Sequence, residues 1–124
     1  MRIAVIEDNP DNLEFFRFML SALGHKPLLA PNGADGVRLA VQERPDLILL
    51  DLQMPEMDGF ATAALIRSHE HLAKIPIVAV TALAMVGDRE EILSRGFDGY
   101  IAKPIMPDRL AEQLAEYLPA ERPQ

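Results

Sequence analysis

The chain has 124 residues, about half apolar and a quarter charged, the length and balance of one globular domain rather than of a disordered or fibrous chain. No apolar run nears the ~20 residues that span a bilayer, no signal pattern follows Met1-Arg2, and cysteine is absent. A membrane span, a disulfide framework and a thiolate metal site are thereby excluded, and the cytoplasm is the expected compartment. Twelve basic against nineteen acidic side chains leave a net charge of −7, which argues against direct nucleic-acid binding and for a cation or a protein partner.

Short apolar runs alternate along the chain with amphipathic stretches. The runs Ile3–Ile6, Pro27–Ala30, Leu47–Leu50, Ile77–Val80 and Gly99–Ala102 have the length of buried strands, and three are too continuously apolar to have a wet face. The first helix is expected from Asn9 as N-cap and Pro10 at its first position, with Leu13, Phe16, Leu20 and Leu23 at helical spacing and Gly24 beyond its end. The second runs from about Ala34 to Glu43 through Val37 and Ala40–Val41. The third follows Gly59, with Ala61, Ala64–Leu65 and Arg67. The fourth is expected from near Asp88 to Gly96, burying Ile92 and Leu93, and the fifth opens around Pro107 with Leu110, Leu114 and Leu118 on one stripe before Pro119 stops it.

Five strands alternating with five helices imply right-handed crossovers and a doubly wound parallel sheet covered on both faces. The flavodoxin-like (βα)5 order 2-1-3-4-5 suits five strands best. It puts the working site at the carboxyl ends of the strands. One domain over residues 1–119 and a short tail at 120–124 follow, the tail reading as frayed.

The polar residues at those strand ends are Glu7-Asp8, Asp51, Thr81 and Lys103-Pro104. Each has an ordinary reading by itself: Asp8 as a helix cap, Thr81 as a turn hydroxyl, Lys103 as a surface cation. Their conjunction at four strand ends points to chemistry. Three close carboxylates resist joint ionisation unless a cation sits among them, and an all-oxygen donor set suits a hard ion, Mg2+ above all. A carboxylate can also act as nucleophile and form an aspartyl phosphate, for which Asp51, ending the central strand, is the candidate. Lys103 and Thr81 would then address phosphoryl oxygens.

The order Glu7-Asp8, Asp51, Met54-Pro55-Glu56-Met57-Asp58-Gly59, Thr81-Ala82 and Lys103-Pro104 resembles the receiver domains of two-component response regulators, the CheY-like superfamily, over Ile3 to about Leu118. The resemblance implies that Asp51 is the phosphoacceptor and that Glu7, Asp8, Asp51 and the backbone carbonyl of Gln53 hold Mg2+. Glu7 stands where many receivers carry Asp. Thr81 and Lys103 would contact the phosphoryl group, the Lys103–Pro104 bond would be cis, and Gln53 with Leu83 would flank the site as the pair that sets phosphate lifetime. Thr81 and Tyr100 would form the switch, the ring turning inward as Thr81 moves to the phosphoryl group.

The stretch Val80–Asp88 resembles stand-alone regulators of the DivK type, and a start at Met1 with no output module after Pro119 agrees; a receiver cut from a hybrid sensor histidine kinase is the alternative. The implied partners are a histidine kinase or histidine phosphotransfer protein and a downstream protein at the face of the fourth helix, fifth strand and fifth helix, the regulator being a monomer or weak homodimer. No enzyme is implied beyond self-catalysed phosphoryl transfer and autodephosphorylation. A magnesium-dependent phosphohydrolase would need an acid where Gln53 stands, and a binding module without phosphorylation would not need the acidic set. His25, His69 and His71 form no ligand constellation, and Met85 and Val86 are either core or contact surface.

Overall fold

Alternation along each strand divides the core in two. In the computed structural model, which describes residues 1–82 and 86–118, strands β1 (Arg2–Ile6), β2 (Lys26–Ala30), β3 (Leu47–Asp51), β4 (Ile77–Thr81) and β5 (Gly99–Ala102) form one parallel sheet in the order β2-β1-β3-β4-β5. Successive side chains point to opposite faces. Ile3, Val5, Leu47, Leu49, Val78 and Val80 therefore meet one layer of helices, while Ala4, Ile6, Ile48, Leu50, Ile77 and Ala79 meet the other. The three central strands are buried throughout from Ile3, Leu47 and Ile77 onward, as continuous apolar runs require. The edge strands β2 and β5 are only half covered.

The helices are α1 (Pro10–Ala22), α2 (Gly33–Glu43), α3 (Gly59–Arg67), α4 (Val86–Ser94) and α5 (Pro107–Ala115), with a 3-10 turn at Glu70–Leu72. Phe16 and Leu20 of α1 and Leu110 and Leu114 of α5 close the first layer; Ala40 of α2, Ala63 and Ile66 of α3 and Ile92 of α4 close the second. Asn9 caps α1 by accepting from the backbone N–H groups of Asp11 and Asn12, and Gly24 takes a φ of 87° just past its end.

Several sequence expectations shift. The buried stripe of α3 is Thr62, Ala63 and Ile66, so Ala61, Ala64 and Leu65 face solvent. Leu93 is 46% exposed because it lies one residue, about 100° of helix, round from buried Ile92. Leu23 is exposed beyond the last turn of α1, and α4 begins at Val86, two residues before Asp88. Leu118 is half-buried past the end of α5 rather than on its stripe. Phe97 is core, and Leu28 packs half-buried against the same cluster. Leu83, Met85, Pro119 and the tail lie outside the described residues, as does the side chain of Val86.

Candidate functional site

Parallel register assembles the acidic cluster. Ile6 pairs with Leu50, so Glu7 and Asp51 follow side by side at the ends of β1 and β3, on the sheet face that carries α1 and α5. Both are buried, Glu7 at 2% and Asp51 at 3% exposure, whereas neighbouring Asp8 is exposed. Carboxylate oxygens of Glu7, Asp8 and Asp51 all lie within 4.8 Å of one another, the spacing of a site able to share one cation.

The surroundings are mostly donors. Lys103, just past the end of β5, brings Nζ to 3.3 Å from Glu7 Oε1 and 3.4 Å from Asp51 Oδ1. Asn12, in the first turn of α1, donates from Nδ2 to Glu7 Oε1 at 2.7 Å, and the Asp8 backbone N–H donates to Glu7 Oε2. The Gln53 backbone N–H donates to Asp51 Oδ1 at 3.1 Å, which orients the central carboxylate from its own loop. Burial, together with the Asp51 carboxyl beside it, nevertheless pushes the Glu7 carboxyl above the usual carboxylate range, against the opposing pull of Asn12 and Lys103. Three carboxylates and one lysine leave the cluster with an excess of negative charge.

The loop after β3 is held tightly. Asp58 caps α3 by accepting from the Ala61 N–H, and the Gly59 N–H donates to the Leu52 carbonyl. A Cβ at Gly59 would stand 2.5 Å from the Asp51 carbonyl oxygen and 2.7 Å from Leu52 Cα, so only glycine lets α3 start this close to the end of β3.

Thr81 ends β4 fully buried, and its carbonyl accepts from the Lys103 N–H at 2.8 Å. Thr81 pairs with Ala102 and Ala79 with Tyr100, which puts the side chains of Thr81 and Tyr100 on one face of adjacent strands, the face that carries α4. Tyr100 is half-buried, and the Arg89 guanidinium of α4 lies 5.3 Å from its ring centroid. The Lys103–Pro104 bond is cis. A cavity of about 540 Å3 lined by Phe15, Phe16, Pro104 and Ile105 shares Asn12 and Lys103 with the cluster.

Glu7, Asp8, Asp51, Gln53, Thr81 and Lys103 thus stand at or beside the C-terminal edge of the sheet, Tyr100 lies within β5 opposite Ala79, and Leu83 lies outside the described residues. Asn12 was missed because only the fold aims its amide at Glu7. Arg67 was noted only as a helix position, yet its guanidinium donates to the carbonyls of Leu72, Ala73, Ile75 and Gly96 and pairs with Asp98 at 2.8 Å, away from the cluster. Nothing local in the sequence signals that role. His69 and His71 meet only each other among ring contacts, and His25 lies 3.3 Å from the N-terminal amine.

Comparison with known proteins adds to this geometry. The sequence pattern of the response regulator receiver domain matches residues 3–115. The polar-differentiation response regulator DivK of Brucella anthropi is 40% identical over 116 residues, covering 94% of each chain. The receiver domain of the sensor histidine kinase PA1611 of Pseudomonas aeruginosa, solved with a magnesium ion coordinated in its active-site cleft, is 38% identical. It superposes with a TM-score of 0.85 over 94% of this chain and 95% of its own. Chemotaxis protein CheY4 of Vibrio cholerae has the same fold, with a TM-score of 0.89 at 24% identity, covering 94% of this chain and 98% of its own.

Proposed function

This chain belongs to the response regulator receiver domain family, and from that premise we propose that it takes a phosphoryl group from a phosphohistidine onto Asp51. The observation that carries this is a buried carboxylate at the end of the central strand, within reach of Lys103 and flanked by Glu7 and Asp8. In the transfer the donor's N–P bond breaks, an Asp51 Oδ–P bond forms, and the imidazole nitrogen keeps the departing electron pair. No general acid is needed at Gln53, whose exposed amide offers no such chemistry, so the activity is self-catalysed transfer and autodephosphorylation rather than turnover of a substrate.

The donor set fits Mg2+: three clustered carboxylate groups with only oxygen donors, two of them, Glu7 and Asp51, buried side by side. Glu7, Asp8, Asp51 and the Gln53 carbonyl would hold the ion, which when bound supplies charge neutralisation for the phosphoryl oxygens. Lys103 offers a second positive charge from the α1–α5 side, and Thr81 a hydroxyl from β4. Thr81 shares a sheet face with Tyr100, so a shift of the hydroxyl toward a phosphoryl group frees space that the ring can enter.

The donor is a histidine kinase or a histidine phosphotransfer protein, which sets the reaction in the cytoplasm. The output is a changed protein-binding surface at α4, β5 and α5. A single-domain regulator is favoured by the match to DivK over 94% of that protein's length, and we read it as a monomer or weak homodimer. Direct nucleic-acid binding is disfavoured by the charge of −7.

Intact mass spectrometry after incubation with Mg2+ and acetyl phosphate tests the reading. One phosphoryl adduct is expected, absent in Asp51→Asn and absent with EDTA. Failure of both acetyl phosphate and a phosphohistidine donor on folded, Mg2+-binding protein would leave a receiver fold used only for binding.

A further inference from the structure

The cavity beside the acidic cluster has two kinds of wall. Phe15 and Phe16 of α1, Ala82 after β4, and Pro104 and Ile105 after β5 make most of it apolar. The two phenylalanine rings meet edge to face at 5.6 Å, which steadies one side. Its volume, about 540 Å3, is far more than an acetyl group fills.

The other wall is Asn12 and Lys103, and both reach the acids. Asn12 Nδ2 lies 2.7 Å from Glu7 Oε1; Lys103 Nζ lies 3.3 Å from that oxygen and 3.4 Å from Asp51 Oδ1. An apolar chamber therefore opens beside the nucleophilic carboxylate, with a cation at the boundary. The cavities that include Tyr100 and Met57 share no residue with the cluster. A phosphoryl group about to be transferred sits against Asp51, so whatever it is attached to has this chamber next to it.

We propose that the chamber receives the leaving group of an acyl phosphate whose acyl part is aromatic or branched, and that Phe15 and Ile105 select such donors over acetyl phosphate. This deepens the reading of Asp51 as phosphoacceptor and rests on it. In the step, an Asp51 Oδ attacks phosphorus, the bond from phosphorus to the acyl oxygen breaks, and the carboxylate departs with the electron pair. A departing carboxylate is stable as the anion, so it takes no proton and needs no general acid. Lys103, at the boundary, offsets its charge. The ring or branched chain exchanges water for the surfaces of Phe15, Pro104 and Ile105, whereas a methyl group has little to bury there. A few carbons placed in an apolar pocket supply about tenfold discrimination or more.

The test follows labelling of Asp51 by intact mass spectrometry with Mg2+ and either acetyl or benzoyl phosphate. Expected is a second-order rate constant about tenfold or more higher for benzoyl phosphate, the ratio collapsing in Phe15→Asn and in Ile105→Asn but persisting in Ile105→Leu. Because each variant is compared with itself across two donors, any intrinsic difference in donor reactivity cancels. A second measurement involves no transfer: 15N NMR with phenacylphosphonate, whose methylene replaces the bridging oxygen. Expected are shifts at the amides of Phe15, Ala82 and Ile105, not reproduced by acetonylphosphonate at the same concentration. Equal rates for the two donors, a ratio that survives both asparagine variants, or phenacylphosphonate shifts that avoid Phe15 and Ile105 would each overturn the selectivity while acetyl phosphate labelling upholds Asp51 as acceptor. Labelling by neither donor nor by a phosphohistidine, on folded protein that binds Mg2+, would overturn both.

Discussion

Asn12 Nδ2 donates to Glu7 Oε1 at 2.7 Å, so the first turn of α1 holds the acid that follows β1. Lys103 Nζ, from just past β5, approaches the same oxygen at 3.3 Å. Glu7 is thus oriented by two elements that are remote from it in sequence or direction, and its usefulness as a metal ligand depends on both.

Removing the amide separates these contributions. Asn12→Leu leaves α1 capped by Asn9 but takes away a hydrogen bond that favours ionised Glu7. Mg2+ affinity measured by isothermal titration calorimetry at pH 7 is expected to fall roughly tenfold, the usual cost of losing a partner that orients a ligand. The loss should shrink as pH rises, since a higher pH ionises Glu7 without the amide's help.

Stability should respond to pH in a metal-dependent way. A folded-state pKa raised above its unfolded value contributes stability that is complete below the unfolded pKa and lost as pH climbs through the raised one. Metal-free protein should therefore lose this contribution between acid and neutral pH, and Glu7→Gln should raise its Tm at pH 7 by about 2–5 °C. Saturating Mg2+ should raise the Tm of the wild type at pH 7 more than at pH 5, and should do little for Glu7→Gln. A Tm difference between the two proteins that ignores pH would contradict the account.

Gly59 sets the distance between β3 and α3. Gly59→Ala forces the β carbon against the Asp51 carbonyl and Leu52, and a stability loss of about 1–3 kcal/mol is expected from urea denaturation. Because the displaced backbone carries Asp51, phosphorylation by acetyl phosphate should slow even where the variant remains folded.

Arg67 closes the bottom of the sheet far from the chemistry. Its guanidinium serves the carbonyls of Leu72, Ala73, Ile75 and Gly96 together with Asp98, which itself accepts from the Ile77 N–H at 2.8 Å. Arg67→Ala should cost about 2–3 kcal/mol, and Arg67→Lys should recover little, since a point charge cannot span this fork. Phosphoryl uptake at low temperature should remain.

Much of the protein was legible along the chain. Continuous apolar runs marked Ile3–Ile6, Leu47–Leu50 and Ile77–Val80 as buried strands, and Asn9-Pro10 marked a helix start, because burial and capping act through neighbours in sequence. Alternating strands and helices implied a parallel sheet, for which the order 2-1-3-4-5 suits five strands best, and the common strand direction puts Glu7, Asp8, Asp51, Thr81 and Lys103 on one edge.

Other features were decided only by packing. Which side of α3 faces inward, and that Leu93 faces out beside buried Ile92, depend on how each helix rotates against the sheet, and small or mixed residues leave that rotation unspecified. Asn12 at Glu7 and Arg67 among distant carbonyls are pairings between elements. Local periodicity determines which residues want burial; only the three-dimensional register determines whom each polar group meets.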